Sequence, residues 1–344
     1  MPSDEQVPMA AMMDGGAFAL PPSSGLHIRS QTTPSPRRRS MQRWVRNNGA
    51  PLMMCLPVIV FTFIFCYLPL PGIIIAFKEY RIDQGIFGSQ WVGFYNFKFL
   101  FNPAAGIRIT VNTIMYHFIF LVAGLITSLT LALLMNEIHS KLRARFYQSA
   151  MFLPNFISWI IVAYFVYAFL NYNDGLANRI ISALGGEPIL WYNRPEPWPA
   201  ILTIVNTWHG AGFGSILYLA VMIGISPELY EAARMDGAGK LQEIRHITLP
   251  MLVPIIVIQF LLSIGHMLKA NFSLFYAVPM GGGGAIAKTT SVIDTFVYRA
   301  LASSQGADFG MAAAAGLYQS AVGFVLVLLS NWLVRRVDPD RALF

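Results

Sequence analysis

The chain has 344 residues, of which 55% are hydrophobic and 12% charged, with a net charge of +7 and a mean hydropathy of +0.53. Soluble domains carry about 25% charged residues, so this composition excludes an ordinary soluble domain. The positive charge fits basic cytoplasmic loops of a membrane protein and not nucleic-acid binding.

Residues 1–50 are polar, rich in Pro and Ser, and carry the cluster Arg37-Arg38-Arg39. This stretch reads as a cytoplasmic, mostly disordered basic arm. Its arginines and Trp44 either rest on the anionic inner leaflet or are simply solvated. The apolar run that follows is too long for a secretory signal.

Six apolar runs follow, near Leu52–Phe77, Ile109–Met135, Ser149–Tyr172, Ala200–Gly224, Met251–Val278 and Met311–Val334. Each is long enough to cross a hydrocarbon core of about 30 Å. Strict alternation is absent, which excludes a transmembrane β-barrel. The expected fold is therefore an all-α membrane protein with six transmembrane helices over 51–336 and a cytoplasmic tail over 337–344. Pro57, Pro69, Pro71, Pro154 and Pro254 are expected to kink the spans. Cys55 and Cys66 share the first run, about 16 Å apart along a helix, too far for a disulfide. They read as small core residues.

Charge sets the orientation. With the N-terminus inside, 15 of the 24 lysines and arginines fall on cytoplasmic segments and 8 on outer segments, while Lys269 lies within a span. Both termini are therefore expected in the cytoplasm. The outer loops are aromatic and proline-rich, and Trp91, Trp191 and Trp198 among them read as interfacial anchors.

The most polar segment between two apolar runs is the loop 226–250. Ser226 can cap a helix N-terminus, Pro227 fits its first position and Glu228 its first turn. Gly237 and Gly239 break that helix. A second short helix is expected from Lys240 to His246, with Thr248 and Pro250 restarting the chain as a new helix.

Glu231-Ala232-Ala233, then Gly237, then Ile247-Thr248-Leu249-Pro250 follow the pattern E-A-A-x3-G-x9-I-x-L-P. This resembles the signature loop of the membrane-spanning permease subunits of binding-protein-dependent ABC importers. Pro227-Glu228-Leu229-Tyr230 and Asp236-Gly237-Ala238-Gly239 resemble the carbohydrate, maltose-type branch. Trp91-Val92-Gly93 with Asn96-Phe97, and Phe152-Leu153-Pro154 with Ile157-Ser158-Trp159, resemble the subgroup that imports complex oligosaccharides.

The resemblance implies a type I importer permease fold in a bacterial inner membrane, with the loop acting as a cytoplasmic coupling helix. Glu231, Ala232, Ala233, Asp236, Gly237, Ile247, Leu249 and Pro250 would then couple to an ATPase. It further implies a second homologous permease, two ATPase subunits and an extracytoplasmic solute-binding protein as partners. ATP and Mg would sit on the ATPase, so this chain is expected to bind no cofactor or metal and to catalyse nothing itself. Oligosaccharide is the implied cargo, with alginate or an aldouronate as candidates.

In that family the residues flanking the loop line the solute cavity. Here the fourth span offers Asn206, His209, Gly210 and Phe213 on one helical face, and the fifth Ser263, His266, Lys269 and Ser273. Each His, Asn or Ser alone could equally make an interhelical hydrogen bond. Lys269 either snorkels to the outer surface or lines a polar path. With two nearby imidazoles and no acid in any run, such a path would favour an acidic, uronate-containing solute. His266 and Lys269 stand where maltose-type permeases more usually have neutral residues.

Gly281 to Thr289 looks like a phosphate-binding loop but has Ala287 where the last Gly belongs, and no strand precedes it. It reads as a flexible outer turn. The alternative function is an ion-coupled secondary sugar transporter, which would need intramembrane acids that the six runs lack. A membrane-bound transferase would need clustered carboxylates, whereas Asp174, Glu187, Glu196 and Asp294 are scattered.

Overall fold

The computed structural model describes residues 48–101, 106–302 and 308–337. The basic arm with Arg37–Arg39 and Trp44, and the tail beyond 337, lie outside the described residues. The chain divides into two compact units, Met1–Leu68 and Pro69–Phe344.

The described part of the first unit is α1 (Gly49–Thr62), which runs into a π-turn at Phe63–Tyr67. Its surface is apolar on every side: Met54, Val58, Phe61 and Phe65 are all exposed. Cys55 and Cys66 are exposed and free, not core residues as expected. A helix that is apolar all round has no distinct core face and suits lipid or a partner helix.

The second unit begins with a 3-10 turn at Leu70–Phe77 and a two-stranded antiparallel pair, β1 (Lys78–Glu79) and β2 (Gln90–Trp91). Its helices include α2 (Gly106–Asn136), α3 (Lys141–Phe152), α4 (Trp159–Leu170), α5 (Leu176–Ala183), α6 (Trp198–Ile223) and α7 (Pro227–Met235). After them come α8 (Lys240–Glu243), α9 (Leu249–Gly265), α10 (Phe272–Ala277), α11 (Ile293–Leu301) and α12 (Phe309–Val337). Among the described residues, four stretches can cross a membrane by length and composition: Gly49–Phe77, Gly106–Asn136, Lys240–Gly265 and Phe309–Arg336. Counting each of two bent pairs, α3 with α4 and α6 with α7, as one span gives up to six.

The third span is not one straight helix over Ser149–Tyr172. Leu153–Phe156 forms a 3-10 turn, and the helices on either side differ in direction by 94°. Pro154 has no N–H to continue the ladder, and Ser158 is extended before α4 starts. The close approach of α6 at this break needs a glycine: a Cβ on Gly212 would lie 1.9 Å from the Met151 carbonyl oxygen.

The fifth span also departs from expectation. It ends at Gly265 instead of running to Val278, and the segment to Asn271 is irregular. Gly265 is where α12 crosses, its Cβ position 2.6 Å from Val327 Cγ2. The irregular stretch is held by Asp294 Oδ2, which accepts from the Ala270 N–H at 2.8 Å, and by Gln319 Nε2, which donates to the Leu268 carbonyl at 2.7 Å. Asn271 then caps α10 through its Oδ1, which accepts from the Leu274 N–H. At its other end the span has no fresh start at Thr248 or Pro250. Lys240–Gly265 is one 26-residue helix with a π-turn at Ile244–Thr248. The π-turn widens the ladder just before Pro250, which has no donor to give it.

The main core gathers Tyr116, Val162, Trp198, Leu202, Leu274 and Phe275. A second cluster joins α2, α6 and α9 through Ala132, Tyr218, Met222 and Leu252. Trp198 is fully buried, with Nε1 donating to the Trp191 carbonyl, so it is a core residue and not an interfacial anchor. Trp191 in turn donates to Asn178 Oδ1.

The Trp91-to-Phe97 motif has a structural role. Val92 N–H donates to Phe77 O, and Asn96 Nδ2 donates to the carbonyls of Ala76 and Lys78. Gly93 takes φ +60 to turn the chain between them. Phe77 stacks on Trp91 with centroids 5.8 Å apart.

Candidate functional site

The signature loop forms as its residues dictate. Ser226 Oγ accepts from the Glu228 N–H, and Pro227 opens α7. The helix closes in a Schellman turn: Ala238 N–H donates to Ala233 O, and Gly237 N–H to Arg234 O, with Gly237 at φ +81. Gln242 Oε1 then accepts from the Gly239 N–H and caps α8. Glu231, Ala232, Asp236 and Pro250 are exposed, and Ala233, Ile247 and Leu249 half-buried. Leu229, Met235 and Leu241 add an apolar surface, with Met235 88% exposed.

A charged network not foreseen from the motif fixes α7 to the helix after it. Arg234 Nε donates to Glu243 Oε1 at 2.7 Å, and Glu243 is only 4% exposed. Lys240 Nζ lies 3.4 Å from Glu243 and 3.1 Å from Glu137. The hydrogen bond from Arg234, aided by the Lys240 charge, holds the Glu243 carboxyl below the usual carboxylate range despite its burial. The same bond raises the Arg234 pKa, and the bond to Glu137 raises that of Lys240. The Tyr230 and Thr248 hydroxyls, 3.0 Å apart, complete the fastening.

The break in the fifth span creates a cleft of about 240 Å³ between α2 and the segment 263–275. Ser263 and Lys269 line it, joined by Tyr116, His117, Asn271 and Phe275. His117 Nε2 lies 2.7 Å from Ser263 Oγ. The Tyr116 hydroxyl is buried and has no hydrogen-bond partner among the described residues. Lys269 is exposed and has no ion pair within 4 Å among the described residues.

The binding-protein-dependent transport system inner membrane component family matches residues 121–340. The chain belongs to this family. The polygalacturonan/rhamnogalacturonan transport system permease protein YteP of Bacillus subtilis is 36% identical over 84% of this chain and 88% of that protein. Protein LplB of the same organism is 33% identical over 84% and 89%. Among solved structures, a bacterial ABC transporter involved in the import of the acidic polysaccharide alginate has a chain 34% identical to this one, with a TM-score of 0.77, covering 87% of this permease and 99% of that chain. A second alginate transporter structure, in complex with an alginate pentasaccharide-bound periplasmic protein, matches with a TM-score of 0.76. The permease therefore shares the type I importer fold, and its helices are those of a multi-pass membrane protein.

Within that fold the four fifth-span candidates do not form one helical stripe, whereas the four fourth-span candidates all lie on α6. Ser263, His266, Lys269 and Ser273 were expected on one helical face, but only Ser263 is on α9. His266 caps its end, Lys269 lies in the irregular segment and Ser273 on α10, because the helix stops where α12 crosses. His209 on α6 is committed elsewhere: its Nε2 lies 3.1 Å from the Ile157 carbonyl, and its ring stacks on Trp159 at 4.0 Å. Asn206, Gly210 and Phe213 do not line the cleft, and Phe213 is 64% exposed.

The glycine-rich stretch is pinned, not a flexible turn. Arg299 Nη2 donates to the carbonyls of Gly281 and Gly282, and Asn112 Nδ2 donates to those of Lys288 and Ser291. Asn112 thus serves structure. Sequence reasoning missed Tyr116, Asn271 and Phe275 as cleft residues. The Asn271 cap signal, an Asn opening a short apolar turn, was the visible clue.

Proposed function

We propose that this permease imports an acidic, uronate-containing oligosaccharide by alternating access. An extracytoplasmic binding protein delivers the solute, and a second homologous permease completes the path. Two separate ATPase subunits hold ATP and Mg and dock on the coupling loop 226–250, so this chain binds no cofactor and performs no hydrolysis. ATP closes the ATPase pair, the Glu231 helix follows its groove, and the spans turn outward; hydrolysis reverses the motion. The lysine and arginine bias supports a reading with both termini on the cytoplasmic side of a bacterial inner membrane.

The observation that carries the solute class is the cleft at the broken span. Its lining includes the Lys269 ammonium, an imidazole and an unpartnered tyrosine hydroxyl, and no acid. A carboxylate entering low dielectric is stabilised by such donors and by the cation. The relatives described as handling alginate and polygalacturonan/rhamnogalacturonan point the same way.

The test is uptake by proteoliposomes holding the permease with its partner subunits and binding protein. A uronate oligomer should enter about tenfold faster than a neutral oligomer of equal length, since each tenfold corresponds to about 1.4 kcal/mol. Equal uptake would contradict the acidic assignment.

A further inference from the structure

Four charged side chains from three elements form one chain at the signature-loop end of the molecule. Arg234 belongs to α7, Lys240 and Glu243 to α8, and Glu137 directly follows the last residue of α2. The contacts run Arg234–Glu243 at 2.7 Å, Glu243–Lys240 at 3.4 Å and Lys240–Glu137 at 3.1 Å. The last of these joins residues 103 positions apart in sequence.

We propose that Lys240 is a positioning residue that carries movement of the coupling helix α7 into the second span. This rests on the reading of 226–250 as the coupling loop. The geometry supports it in three ways. First, α7 is fastened to α8 by the Arg234–Glu243 pair and to the π-turn after it by the Tyr230–Thr248 contact, so α7 and α8 move together. Second, a cleft of about 300 Å³, lined by Leu133, Asn136, Tyr230 and Glu231 among others, separates the end of α2 from the loop. Lys240 spans this cleft to reach Glu137. Third, α2 packs along α6 and α9 through Ala132, Tyr218, Met222 and Leu252. Packed helices shift as bodies, so a displacement at the end of α2 is shared.

Lys240 and Glu137 are about half exposed, with 57% and 45% of their side chains accessible. Such pairs add little to stability. Variants that break the pair should fold and assemble, and their effect should appear in coupling.

The experiment uses the assembled complex of permease, ATPase subunits and binding protein in lipid. It reads the ratio of solute-stimulated to basal ATP hydrolysis, with co-purification of the ATPase as the measure of assembly. Lys240→Met and Glu137→Gln should each lower the ratio by about threefold or more, and the double variant should fall no further, as for two residues acting through one contact. Lys240→Arg should keep the ratio, and the ATPase should co-purify with every variant. A normal ratio in Lys240→Met would overturn the proposal. So would a double variant that falls by the product of the two singles, or a loss that tracks loss of the ATPase. No stimulation in the unaltered complex would remove the coupling-loop reading itself, and the proposal with it.

Discussion

A Cβ on Gly323 would lie 2.7 Å from the carbonyl oxygen of Gly265, so the fifth and sixth spans cross backbone to backbone. This contact ends α9, and the irregular segment that carries Lys269 begins immediately after it. Small residues at such crossings let membrane helices approach closely. Gly323→Ala should therefore cost about 1–3 kcal/mol through overpacking. Gly316, on the same helix, has nothing within 4 Å of its Cβ position, and Gly316→Ala should be neutral. Thermal unfolding of the two purified variants in one detergent checks the contrast.

Glu243 gives the loop a defined pH window. Its folded pKa is lowered, chiefly by the Arg234 hydrogen bond, so its contribution is complete above the ordinary carboxylate pKa and is lost as pH falls through the folded value. Lys240 has a raised pKa, so its contribution is present below the ordinary lysine value and is lost as pH rises through the folded one. Hydrogen exchange of the 240–248 amides, corrected for intrinsic rates, should be flat across neutral pH and accelerate in acid. Glu243→Gln should show the acid-like rate at neutral pH.

Much of the architecture was legible in the sequence because apolar runs and fixed motif spacing are local signals. The Schellman turn at Gly237 and the Ser226 cap follow from single residues at the helix ends. What was not legible depends on distant partners. No periodicity rule places Val327 and Gly323 against Gly265, or Asp294 and Gln319 against the chain at 268–270. The fifth-span stripe failed because it assumed one helix across that crossing. The contacts of His209 were hidden for a similar reason: its partners, Ile157 and Trp159, flank a bend made by Pro154 some 50 residues earlier. Arg234 occupies an unspecified position of the motif, which gives no sign of its partner Glu243 in the same loop.

Asn112 joins the second span to the connection between the fifth and sixth, with two 3.0 Å bonds to the carbonyls of Lys288 and Ser291. Asn112→Ala leaves both acceptors without that donor and should cost about 1–3 kcal/mol. Proteolysis should then cut within 281–291 at a rate well above that of the unaltered protein. An unchanged rate would mean that Arg299 alone holds the stretch.

A Lys269 variant is expected to separate solute recognition from coupling. Lys269→Met should reduce uptake of a uronate oligomer by about tenfold or more, because a carboxylate in low dielectric loses its cation. Basal ATP hydrolysis by the assembled complex should change far less. Uptake of both oligomer types reduced equally would assign Lys269 to structure.

The loop 226–250 is the proposed site where an ATPase couples. Glu231 is exposed on α7, in front of the Schellman turn that Gly237 makes possible with its positive φ. The direct measurement is solute-stimulated ATP hydrolysis by the reconstituted complex carrying Glu231→Lys. Reversing a charge at a desolvated interface costs about 2–5 kcal/mol, so stimulation should be lost while the permease still inserts and accepts the binding protein. Full stimulated hydrolysis with Glu231→Lys, and equally with Gly237→Pro, would contradict a coupling role for this loop.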